Sequence, residues 1–157
     1  MLVSTSFTEP FNQPITYGKY IAKLGNMLTG DGIMVQRLGD LLNGRRTDYS
    51  RIKKSTTIPT LKSAVPGDLS FVLPQRCLTS IVEALKAFNN IAPGLYSKNT
   101  LLYGVEVKFY SSKFETNDKF ETAIKNLYAI GDGAGITRGL MQASVTGVVV
   151  ARDIAHK

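Results

Sequence analysis

Leu127-Tyr128-Ala129-Ile130-Gly131-Asp132-Gly133-Ala134-Gly135 carries the change from strand to turn to helix on which the fold reading rests. Its first four residues are wholly apolar, the pattern of a strand covered on both faces, as in parallel sheets. The glycines permit a sharp turn and leave the backbone amides unshielded, so another molecule can approach closely. Behind them Leu140, Ala143, Ser144, Gly147, Ala151 and Ile154 fall at helical spacing, and the small residues on that stripe predict a helix lying close to a sheet. A buried strand, a glycine turn and a close-packed helix put a helix N-terminus, with its unpaired N–H groups and partial positive charge, at the carboxyl end of the strand. Anions and other ligands bind at such places. Asp132 stands at the mouth, where a carboxylate repels phosphate but accepts hydrogen bonds from sugar or ribityl hydroxyls. A ligand with both parts fits best.

Upstream, Val105, Val107 and Phe109 alternate with Glu106, Lys108 and Tyr110, which predicts a strand. Lys113-Phe114-Glu115-Thr116 and its copy Lys119-Phe120-Glu121-Thr122 flank the turn dipeptide Asn117-Asp118 and predict a small β-hairpin. Nearer the N-terminus, Pro14 opens a helix in which Tyr17, Ile21, Leu24 and Leu28 recur at steps of three and four. Asp31 is the expected N-cap of a second helix with Met34, Leu38, Leu41 and Leu42 on one face and Gly44 as its C-cap, the two forming a helical hairpin. Residues 45–74 lose periodicity under Pro59, Pro66 and Pro74 and read as a long extended connection, either a functional loop or a segment packed against something outside this chain. A third helix begins near Pro74, carries Leu78, Ile81, Val82, Leu85 and Phe88 on one stripe, and ends at Ala92-Pro93-Gly94.

At 157 residues the chain is one domain in size, able to bury roughly 70% of its unfolded surface without a disulfide or metal staple. Cys77 is the single cysteine, which removes disulfide frameworks and zinc clusters and fits a reducing, cytoplasmic compartment. The single histidine, His156, stands next to the last residue, where chains fray, so Ser-His-Asp and Cys-His devices have no foundation. A His-rich metal set is likewise lacking, although a carboxylate site for magnesium stays open. If the chain belongs to an enzyme, a bound cofactor carries the reaction. Residues 1–10 hold no apolar run of signal-peptide length, and the densest apolar run, Val148-Val149-Val150-Ala151, is flanked by Gly147 and Arg152, so neither targeting segment nor membrane span is expected.

Nineteen basic against twelve acidic residues give +7. Arg37, Arg45, Arg46, Arg51, Lys53 and Lys54 concentrate the surplus, opposed only by Asp40 and Asp48. Such a field attracts phosphates of nucleic acid, nucleotides or lipid headgroups; it also describes a solvated basic loop.

Asn126-Leu127-Tyr128-Ala129-Ile130-Gly131-Asp132-Gly133-Ala134-Gly135, with Gly139, Ala143, Ser144 and Gly147 behind it, resembles the C-terminal FAD-contacting motif of two-dinucleotide-binding flavoproteins. Within that superfamily, Gly104-Val105-Glu106-Val107-Lys108-Phe109 and Ile136-Thr137-Arg138-Gly139-Leu140-Met141-Gln142-Ala143-Ser144 resemble a group of uncharacterised bacterial FAD-dependent dehydrogenases. The resemblance is clearest over residues 101–154. Gln36-Arg37-Leu38-Gly39-Asp40-Leu41-Leu42 and Pro66-Gly67-Asp68-Leu69-Ser70 resemble that group's second lobe.

The resemblance implies an FAD-binding oxidoreductase acting on an unknown small-molecule substrate. Its cofactor-binding residues would be Gly131, Asp132, Gly133, Ala134, Gly135, Ile136 and Thr137. Asp132 would bond the ribityl chain, the backbone of residues 133–137 would face the pyrophosphate and the flavin pyrimidine edge, and the helix N-terminus would stabilise charge near N1 and O2 of the reduced flavin. Glu106 and Lys108 would approach the flavin or form a surface ion pair; no catalytic residue is assigned. One departure stands out, because these flavoproteins begin with a strand and GxGxxG for the ADP half. Gly30-Asp31-Gly32 and Gly131-Asp132-Gly133 lack the later glycine.

The chain is therefore expected to be the C-terminal part of a longer enzyme, with the nucleotide-binding lobe elsewhere on the same or a separate chain, and to bind FAD weakly or not at all alone. The expected fold is α+β, an α/β fragment: a mainly helical cap or substrate lobe over 1–94, then over 95–157 a small sheet and the last strand-turn-helix of an FAD-binding Rossmann-like lobe. Two other readings are a small basic module binding nucleic acid or another polyanion, which has no recognised motif behind it, and a subunit completing a partner's active site.

Overall fold

Pro14, at a helical position where its missing N–H costs nothing, opens α1 (Pro14–Thr29), and Gly30 closes it in the left-handed conformation at φ 61° with its N–H on the Asn26 carbonyl. This helix is the one that its apolar spacing predicts. The computed structural model describes residues 1–109 and 113–156 and divides into two compact units, one ending at Val107 and the other beginning at Lys108.

In the first unit the expected second helix is replaced by β1 (Met34–Arg37) followed by the short α2 (Leu38–Leu42). Asp31 is not an N-cap, since it continues the turn after Gly30 at φ 63°. Met34, Val35 and Gln36 are buried in succession, as residues of a central strand are. β1 lies between β2 (Val65–Pro66), paired in parallel with Met34 opposite Val65, and β3 (Leu101–Gly104), paired antiparallel with Arg37 opposite Leu101. The strand expected at residues 105–109 is thus displaced to Leu101–Gly104, and Tyr110 lies outside the described residues.

Residues 45–74 are more structured than an extended connection. They hold α3 (Tyr49–Lys53), β2 and a 3-10 turn at Leu69–Phe71. α4 (Gln75–Phe88) follows Pro74 as predicted and buries Leu78 and Leu85. Met34, Leu69, Val72 and Leu78 form the core, with Ile21, Leu24, Leu41, Leu73, Leu102 and Val105 packed against it. Helices over a small three-stranded mixed sheet make the fold α+β.

The second unit holds α5 (Leu140–Ala155), where the sequence places its last helix. The two four-residue copies do not pair with each other. Asn117 folds the chain back by accepting the N–H groups of Lys119 and Glu121 on its side chain, and residues 120–122 pair instead with 127–129. The bridge Glu121 to Tyr128 is antiparallel, and Leu127 is 50% exposed, so residues 127–130 are not the buried parallel strand that their composition suggests. A unit this small has too little chain to cover both faces of a strand.

Candidate functional site

The glycine turn is built in the second unit. Gly131 adopts φ 72°, ψ −165°, a conformation that essentially only glycine takes. Its N–H donates to Thr146 Oγ1 at 3.1 Å, and that buried hydroxyl donates to the Ala143 carbonyl at 2.7 Å, tying the turn to α5. Asp132–Ala134 then forms a single 3-10 turn, closed by Gly135 at φ 70°, whose N–H donates to the Asp132 carbonyl at 3.0 Å. Ala134 is buried, and its carbonyl accepts from the Phe114 N–H at 3.2 Å.

Thr137 and Asp132 are brought together. The threonine hydroxyl, on a residue only 7% exposed, donates to Asp132 Oδ1 at 2.6 Å. Oδ2 of this exposed carboxylate has no hydrogen-bond partner among the described residues, so an acceptor is held in place with one oxygen open. Ile136 sits half-buried between them. Residues 136–139 lie between the turn and α5, which starts at Leu140 behind an N-cap, Gly139, that offers no side-chain acceptor.

The glycines differ in what requires them. A Cβ on Gly131 would be strained by its backbone, and Gly147 makes only ordinary contact, 3.9 Å from Ile130 Cδ1. Gly133 and Gly139 have no positive φ, and no atom of the described residues lies within 4 Å of an added Cβ. Beside Gly133 and Ala134 lies an open depression of about 410 Å³, walled by Phe114, Leu127, Tyr128 and Ile130.

A second polar cluster, in the first unit, gathers the basic stretch. Gln36, fully buried, donates through Nε2 to the Arg45 carbonyl at 2.9 Å and accepts the Leu69 N–H at 2.8 Å. The Gln36-to-Leu42 and Pro66-to-Ser70 segments therefore meet. The buried Asp40 carboxylate accepts from Arg45 Nε at 2.9 Å, Arg51 Nη1 at 3.1 Å and Thr47 Oγ1 at 2.9 Å, with Arg37 Nη1 at 3.7 Å. Burial acts to raise the Asp40 pKa, but the bonds from Thr47, Arg45 and Arg51 and the charge of Arg37 outweigh it and hold the pKa below the usual carboxylate range. Sequence reading finds these charges but not their convergence, which takes three separate segments; the short spacing of Arg37, Asp40 and Arg45 is the one local sign of it.

Among the described residues no group of three or more His, Cys, Asp or Glu side chains could hold a metal ion, and no helix is long and apolar enough to cross a membrane. No family model matches the chain. It is similar to an uncharacterised protein of Clostridium beijerinckii, 26% identical over 126 residues that make up 78% of this chain and 23% of that protein. The chain thus spans 23% of the length of the curated relative it matches.

Proposed function

We propose that this chain is the C-terminal part of an FAD-dependent oxidoreductase and that residues 131–137 contribute the ribityl and flavin side of its cofactor site. The observation that carries the reading is the Asp132 carboxylate, fixed through one oxygen by Thr137 on a rigid glycine turn and open through the other. Ribityl hydroxyls are the donors such an oxygen suits. Gly133 and Gly139 support it, since nothing among the described residues requires glycine there and a close-lying ligand would. A relative more than four times longer than the matched stretch leaves room for a nucleotide-binding lobe that this chain lacks.

FAD, when bound, supplies the hydride chemistry. This chain's residues would hold one half of it: Asp132 would accept from the ribityl chain while Thr137 holds Asp132 in place. The adenosine and most of the pyrophosphate would find no surface here, and partial contacts must first offset several kcal/mol of lost ligand freedom. The chain purified alone is therefore expected to be colourless, whereas the longer protein keeps flavin absorbance through gel filtration. In that longer protein Asp132→Ala removes a charge-assisted hydrogen bond and should weaken FAD by about 1.5–3 kcal/mol. Unchanged flavin affinity in that variant would mean that the turn serves something else.

A further inference from the structure

We propose that Arg37, Arg45 and Arg51 form a binding site for one oxyanionic group, a carboxylate or a phosphate, of a small molecule. The inference stands apart from the flavin reading and would survive its failure. Three guanidiniums from the end of β1, the loop after α2, and α3 converge on the single buried carboxylate of Asp40. Asp48, paired with Arg51 at 3.3 Å, and Asp68, which accepts from Gln36 Nε2 at 3.3 Å, are other acids of the cluster. Positive charge is in excess once Arg46, Lys53 and Lys54 of the same stretch are counted.

Hydrogen-bond donors remain as well. Arg45 engages Asp40 through Nε, so its two Nη groups have no partner among the described residues, and its side chain is 52% exposed. Arg51 spends Nε on Asp48 and Nη1 on Asp40, leaving Nη2. Arg37 lies 3.7 Å from Asp40 through Nη1 and donates to Asn99 Oδ1 at 2.7 Å through Nη2, and its Nε is buried with no partner among the described residues.

Asp40 acts as a base plate. By engaging Arg45 through Nε it leaves the Nη pair of a half-exposed side chain without partners among the described residues and removes in advance part of the rotamer freedom that an oxyanion would otherwise have to freeze. The forked donors match the paired oxygens of a carboxylate or phosphate. A nucleic acid would call instead for a row of cations with aromatic side chains between them, and these arginines turn inward to one point.

The test is titration of the full 157-residue chain with inorganic phosphate and, separately, acetate, followed by calorimetry at ionic strength held constant with sodium chloride. At least one anion should bind saturably, and the stronger of the two identifies the source. Arg45→Gln should weaken it about tenfold or more, whereas Lys53→Gln with Lys54→Gln should weaken it less than about threefold. Arg45→Lys keeps the charge, loses the fork and should lose nearly as much as Arg45→Gln, which separates recognition from misfolding when both variants keep the wild-type circular dichroism. Heat indistinguishable from that of added chloride overturns the proposal. So does an equal loss in the lysine variant, or tight, salt-sensitive binding of an oligonucleotide with no effect of phosphate or acetate.

Discussion

Asp40 has no exposed side-chain surface and still keeps its charge, because the donors around it outweigh the cost of burial. Asp48, the N-cap of α3, is held to about 2 by the Arg51 backbone N–H first and then by the Ser50 hydroxyl. Both carboxyls are thus more acidic folded than unfolded, so their stabilisation is complete above the unfolded value of 3.8 and disappears as pH falls through the folded values. An acid titration followed by circular dichroism should show stability falling between about pH 4 and pH 2, with a shallower fall in Asp40→Asn. At neutral pH Asp40→Asn should destabilise the chain by about 3 kcal/mol, read by urea denaturation, because it strands the arginines that faced the charge. The resemblance singles out Asp132 and Thr137 as candidates, whereas nothing in their spacing tells that the threonine bonds the aspartate.

The glycines of the elements differ in what an added Cβ would meet. Gly39 in α2 donates its N–H to the Lys98 carbonyl at 3.0 Å, and an added Cβ would lie 2.9 Å from that same oxygen. Gly39→Ala should therefore cost about 1–3 kcal/mol in thermal or urea unfolding. Gly133→Ala meets nothing and should change stability by less than about 0.5 kcal/mol, so loss of flavin by that variant of the longer protein would report on the ligand alone. α1, α4 and α5 were readable because a helix repeats its apolar face every few residues within itself. The hairpin of the two copied tetrapeptides was not, since Asn117 offers its side chain to the residues after it and sends 120–122 to pair with 127–129.

The last helix, α5, is short of cover. Leu140, Met141, Val145, Val148 and Ile154 of α5 are exposed, Leu140 to 89%, beyond what a surface helix ordinarily shows. The isolated chain should accordingly enhance the fluorescence of anilinonaphthalene sulfonate while remaining cooperative in unfolding; a silent dye would show that this helix is covered in solution. Local periodicity by itself determined α1, α4 and α5, three of the four helices it predicts, and a glycine turn after Ile130, because helical hydrogen bonds close within four residues and backbone conformation is a local property. Only the tertiary structure decided that Met34–Arg37 is a strand and that three arginines share one carboxylate. A strand's hydrogen bonds are made with another segment, here around Val65 and Leu101–Gly104, and a buried charge is stable only where distant donors reach it together.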